Sequence, residues 1–227
     1  MKKANILTLA FIFAAATSTF AQTSAGTLFV GGGLGFSSSG SKTTTTIGGT
    51  TVTSDGPKAT NLSFIPGVGY FIADKLAIGL DFSVTTGSDK ETESNGDYTK
   101  TSATRIGIAP FARKYFMLSD NFGFIGAAGI GVGFGSSKEE ERTGNTTVTT
   151  EGPKITTLEI GVVPGLVFFP TSKVGLEANF GFIGFASETS KEKTPLGETK
   201  TTTTNVGFGA NTIRPTFSLG FRYYLSK

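Results

Sequence analysis

Seven charged residues fall on strand-like faces that are otherwise glycine and small side chains. They are Asp81, Arg105, Arg113, Glu159, Glu177, Arg214 and Arg222. Such a set of carboxylates and guanidiniums supports three kinds of chemistry. It forms a charge-assisted network that fixes an interior; it lines a gated polar pathway for ions or small solutes; or two carboxylates share acid–base work. The last needs an organised nucleophile, and nothing in the chain organises one. There is no His and no Cys. That excludes Ser-His catalysis, thiol nucleophiles, disulfides and the usual zinc site. No catalytic residue, metal site or cofactor is expected.

Two further clusters carry less. Gly129-Ile130-Gly131-Val132-Gly133-Phe134-Gly135 superficially resembles a nucleotide loop, but no P-loop lysine follows and no helix is signalled. It reads as a small-residue strip on one strand face. Lys138-Glu139-Glu140-Glu141-Arg142 would suit a cation or a cationic partner, but fits a solvated loop tip better. The 20 basic and 17 acidic residues are not gathered into a basic patch, so no nucleic-acid partner is expected.

The elements that position these groups follow from texture. Met1-Lys2-Lys3, an apolar run from Ile6 to Ala16 and Thr19-Phe20-Ala21 read as an export signal over 1–21, cleaved before Gln22. The remaining 22–227 form one domain. No 18-residue apolar stretch is present there, so no transmembrane helix is expected. Apolar segments alternate with polar ones at 38–58, 87–101, 136–154 and 186–204, which read as four long loops. Short turns fall at Ile72–Lys75, Leu118–Asn121 and Pro170–Lys173. Together they delimit eight strands.

Period-two alternation gives each strand a bulky apolar face and a face of glycine, small polar or charged residues. On the third strand Leu76, Ile78, Leu80, Phe82 and Val84 oppose Ala77, Gly79, Asp81 and Ser83; on the seventh Val174, Leu176, Phe180 and Phe182 oppose Gly175, Glu177, Asn179 and Gly181. A glycine face is a poor solvent face but suits a narrow barrel interior. The fold class is therefore all-β, an eight-stranded antiparallel up-and-down transmembrane β-barrel with its apolar face toward lipid. Lys114 is on the lipid face by parity, close enough to a turn to reach the interface. Tyr70, Phe71, Tyr115, Phe116, Phe168, Phe169, Tyr223 and Tyr224 would form an aromatic girdle. A soluble lipocalin-like carrier is the inverse alternative, with the apolar face inside.

Inside the barrel, the spacing pairs Asp81 with Arg113 and Glu177 with Arg222, and sets Glu159 level with Arg105 or Arg214. Thr50–Lys58 recurs as Thr146–Lys154, sharing Gly-Pro-Lys, and the match runs on into the next two strands after an even slip. Two four-stranded halves follow, neither able to close alone.

The signal, the Pro66–Phe71 strand end, Ala109–Phe116 and the terminal Phe217–Leu225 together resemble the small eight-stranded outer-membrane barrels of Gram-negative bacteria, the OmpA-transmembrane and OmpX-like group. The resemblance spans nearly all of 25–227. It implies the outer membrane as location, lipid and lipopolysaccharide as surroundings, insertion by the barrel-assembly machinery, a monomer and no enzyme. The chain departs from the group in ending Leu225-Ser226-Lys227 rather than on an aromatic residue. The expected role is envelope support or surface interaction through long outer loops, with an unknown surface ligand. A small porin-like passive channel is the alternative.

Overall fold

The computed structural model describes residues 21–93, 95–194, 197–208 and 217–225. The expected leader lies outside them except for Ala21. The strands are β1 Leu28–Ile47, β2 Thr50–Ala73, β3 Leu76–Thr92, β4 Tyr98–Met117, β5 Phe122–Thr143, β6 Thr146–Thr171, β7 Val174–Phe180, β8 Ile183–Thr194, β9 Gly197–Phe208 and β10 Phe217–Leu225. These ten segments make eight staves. β7 and β8 form one stave, since both pair with β6; β9 pairs with β8 and β10 with β7, and together they form the last stave. β10 closes on β1 from Leu28↔Leu225 to Leu34↔Leu219. Every pairing is antiparallel and joins neighbours in the ring.

The faces follow the alternation. Outward residues such as Phe36, Phe64, Ile106, Phe134 and Leu219 are exposed, while Asp81, Arg113, Glu159, Glu177 and Arg222 are buried inside. The lipocalin-like arrangement is thereby reversed.

The four polar segments are not loops. They continue the strands as paired hairpins, and β2 and β6 reach 24 and 26 residues. Thr43–Thr46 pairs with Ser54–Thr51, and Thr201–Thr204 pairs with Ser190–Ser187. β-Branched threonine suits a pleated strand even where both faces meet water. Only Gly48-Gly49 separates β1 from β2, with φ of 59° and 82°, as a two-residue hairpin turn requires.

The repeated Gly-Pro-Lys has a structural meaning. Gly56-Pro57 lies opposite the single residue Ser41, between Gly40↔Lys58 and Lys42↔Asp55. Gly152-Pro153 lies likewise opposite Ser137, between Ser136↔Lys154 and Lys138↔Glu151. Both are bulges, with two residues facing one.

The expected girdle divides by parity. Tyr70, Phe116 and Tyr223 face outward, but Phe71, Tyr115, Phe169 and Tyr224 are buried in the lumen at the short-turn end. Phe182 also departs from its expected outward face. Between β7 and β8 the backbone breaks at Gly181, whose φ of 75° belongs to the left-handed region. The break reverses the parity of the stave, so Phe182 turns inward at 3% exposure while Ile183 faces out.

Candidate functional site: the lumen plug and its ion-pair layer

The lumen begins with an aromatic plug at the short-turn end. Phe29 from β1, Phe71 from β2, Phe111 and Tyr115 from β4, Phe169 from β6 and Tyr224 from β10 pack around Ala77, Ile125 and Val167. Phe29 meets Phe71 and Tyr224 with centroids 5.6 Å apart, and Tyr115 and Tyr224 bring their hydroxyls to 3.2 Å. The inner glycines make this packing possible. A Cβ on Gly69 would lie 2.2 Å from the Phe29 ring, and one on Gly79 2.4 Å from the Phe111 ring. Each ring occupies the space that a glycine on a neighbouring strand leaves open.

A charged layer sits on the plug. Arg113 Nη1 donates to both Glu177 oxygens, at 2.8 and 2.9 Å, across the lumen from β4 to β7. Arg222 Nε donates to Glu177 Oε2 at 3.3 Å, and its Nη2 lies 3.6 Å from Asp81 Oδ1. The order is therefore Arg113–Glu177–Arg222–Asp81, with each group at most 4% exposed. The guanidiniums also cover the plug: Arg113 stands 4.8 Å from the Phe111 ring centroid and Arg222 5.7 Å from that of Phe29. These are cation–π distances. Burying four charges is costly unless each is paired, and alternation of sign along the chain supplies the pairing.

Three of the expected pairings change or extend. Glu177 with Arg222 is present. Asp81 with Arg113 is not, because the register sets Ala77 opposite Arg113 and Asp81 opposite Ala109. Strand stagger thus separates them by four positions, and Arg113 reaches across the lumen instead. Arg105 pairs with Glu188 at 3.2 Å rather than with Glu159. Glu188 was hidden in a segment that reads as loop, and it faces inward because of the break at Gly181. Glu159 is buried higher in the lumen, beside the cavities that Asp81 also lines. Arg214 lies outside the described residues. Phe29 is the inward ring that the sequence reading missed; its parity with Gly31 and Gly33 is the signal that finds it.

At the opposite end the hairpins lock to one another. Gly144 N donates to Asp97 Oδ1 at 2.7 Å, joining the β5–β6 tip to the β3–β4 tip. The Tyr98 hydroxyl donates to Glu140, and Lys90 Nζ stands 3.9 Å over the Tyr98 ring. The hydrogen bond to Glu140 pushes the Tyr98 pKa up.

A family model, outer membrane protein beta-barrel domain, matches residues 7–211. The chain belongs to this family. As an outer-membrane β-barrel domain protein, it has structural relatives of the same kind. The outer membrane protein OprG of Pseudomonas aeruginosa is 12% identical, with 91% of this chain and 99% of that one covered at a TM-score of 0.51. Neisserial surface protein A is 17% identical over 88% of this chain and 97% of that one, at a TM-score of 0.36. The first likeness shows a shared fold. No curated protein matches the sequence. Family and fold together place this β-barrel in the Gram-negative outer membrane, crossing it with strands. Its short-turn end is accordingly the periplasmic end and its long hairpins are extracellular.

Proposed function

We propose that this barrel is a non-enzymatic anchor that displays a stiff, hydroxyl-rich β-sheet outside the cell, serving envelope support or surface contact. The observation that carries the reading is the plug. Six aromatic rings fill the lumen at the periplasmic end, and the charged layer lies directly above them. A pathway for ions would have to cross both. The buried lumen charges of that layer serve one another, and no Ser, Thr or Tyr hydroxyl is set against a base there in the manner of an activated nucleophile among the described residues.

The display part rests on the hairpins. β6 pairs with β5 from Phe168 to Thr146, well beyond the membrane-spanning length of about 9–11 residues, and the Asp97–Gly144 contact holds two tips together. Among the described residues, β1 pairs above Leu34 with β2 only, and β9 pairs with β8 only. Among those residues the extracellular sheet has two edges carrying Ser and Thr. An edge offers backbone donors and acceptors to an extended partner. On this reading the chain is exported by cleavage after Ala21, inserted by the barrel-assembly machinery, and works as a monomer among lipid and lipopolysaccharide.

The test is conductance. The purified barrel in a planar bilayer should stay at the lipid baseline, while Phe29→Ala with Phe71→Ala should introduce steps. Discrete openings from the unaltered protein would favour the passive-channel reading instead.

A further inference from the structure

Beneath the plug the chain ahead of β1 does not hang free. Residues 22–27 fold across the periplasmic mouth, and Gln22, Thr23 and Thr27 are all at most 4% exposed. Lys75 N donates to Thr23 O at 2.7 Å, and Ala25 N donates to Asp74 Oδ1 at 2.9 Å; both partners lie in the β2–β3 turn. Lys75 has a φ of 61°, a left-handed conformation that a non-glycine residue rarely adopts. It turns its amide toward the segment. On the other side, Gln22 Nε2 donates to Thr171 O, at the end of β6, at 3.3 Å. Gly26 N to Phe71 O and Phe71 N to Thr27 O then lead the chain into the β1–β2 ladder.

The ring order gives these bonds their significance. The β2–β3 turn joins staves two and three; the β6–β7 turn joins staves six and seven. In a ring of eight these turns face each other across the mouth. We infer that residues 22–27 form a diametral strap that latches the periplasmic mouth shut, tying the two halves of the barrel together beneath the aromatic plug. Gln22 and Thr171 are 149 positions apart in sequence. Closing so long a loop is entropically unfavourable in the open chain, and Thr171 comes under Gln22 only when β10 has closed on β1. The strap therefore seats last. Once seated it covers the lower faces of the plug rings from the periplasm.

The native absence of cysteine makes the inference directly testable. In outer membranes, Gln22→Cys should be labelled by a soluble maleimide at least ten-fold more slowly than Asp120→Cys, which sits in an exposed turn. Gln22→Cys with Thr171→Cys should join through a short bismaleimide, changing the mobility of the boiled protein. The same pair in urea should not join, and Gln22→Cys with Gly144→Cys at the far end should not join in either state. Deleting residues 22–26 should lower the temperature at which the folded gel band is lost. Labelling of Gln22→Cys as fast as Asp120→Cys would overturn the strap. Protection without the crosslink to Thr171→Cys would overturn the diametral seating. The single substitution leaves β1–β10 untouched, so the labelling result stands even if the deletion fails to fold.

Discussion

Arg113 and Glu177 meet through one guanidinium nitrogen and both carboxylate oxygens, at 2.8 and 2.9 Å, across the width of the barrel. Glu177 also accepts from Arg222, so it is the carboxylate on which Arg113 and Arg222 converge. Glu177→Gln keeps the shape and removes the charge, leaving Arg113 without its carboxylate while Arg222 keeps Asp81. Breaking a buried pair from one side costs about 3–5 kcal/mol. The loss should appear as a lower urea midpoint in detergent micelles at unchanged slope. Arg113→Met with Glu177→Met should cost less than Glu177→Gln alone, since Arg222 keeps Asp81 and no charge is stranded. A double variant weaker than the single would show that the pair contributes more than mutual neutralisation.

The plug makes a separate prediction. Gly69 faces the Phe29 ring so closely that a methyl group would stand 2.2 Å from Cζ. Gly69→Ala should therefore destabilise the barrel by about 1–3 kcal/mol, the usual cost of overpacking. Phe29→Leu creates a gap and should also destabilise. Combined, the two should be milder than their sum, because the smaller side chain admits the new methyl. Unfolding temperatures from heat-modifiable gel mobility measure all three. Strict additivity would mean that the ring and the glycine do not share the space.

How much of this was legible in the sequence depends on whether it is local. Period two placed Asp81, Arg113, Glu177 and Arg222 on one face without any knowledge of the ring, because alternation is a property of one strand. Of the pairings, Glu177 with Arg222 was legible and Asp81 with Arg113 was not. Asp81 and Arg113 sit on adjacent strands, and only the stagger between them decides who meets whom. Phe71, Tyr115, Phe169 and Tyr224 had the inward parity, yet aromatic residues near a turn invite a girdle reading; the glycines opposite them were the overlooked signal. Glu188 was hidden by the break at Gly181, since one left-handed residue reverses every face beyond it. The polar hairpins read as loops because composition reports solubility, and two-sided solvation leaves no alternation to detect. The repeated Gly-Pro-Lys was visible as a repeat, while its role as a bulge needed the partner strand.

The extracellular tips should be separable from the barrel. Asp97 Oδ1 accepts from Gly144 N at 2.7 Å, and Arg142 Nε donates to Gly144 O at 3.1 Å. Asp97→Ala removes the bridge between two hairpins but touches nothing in the lumen. A hydrogen bond contributes about 1 kcal/mol net, so amide exchange around Gly144 should quicken by roughly five-fold in native conditions. The urea midpoint of the barrel should not move. A falling midpoint would mean that the tips are coupled to the membrane-spanning part.

Tyr98 supplies the pH-dependent case. Its hydroxyl donates to Glu140, and that bond is the largest cause of its raised pKa; desolvation and the Glu140 charge act in the same direction, while Arg142 acts against them. A phenol whose folded pKa lies above the unfolded value of about 10 favours the folded tip in its neutral form. That contribution is fully present below the unfolded value and is lost as pH rises through the folded one. The tyrosinate absorbance near 295 nm, taken as the difference between the protein and Tyr98→Phe, isolates this group. Glu140→Gln should move the Tyr98 step to lower pH, because the amide accepts the bond without opposing the phenolate charge. The same variant should loosen the β3–β4 and β5–β6 tips at neutral pH, and that difference should reverse once both phenols have ionised, because the carboxylate then repels the phenolate. A Tyr98 step that stays in place in Glu140→Gln would show that the contact between them does not govern this end of the sheet.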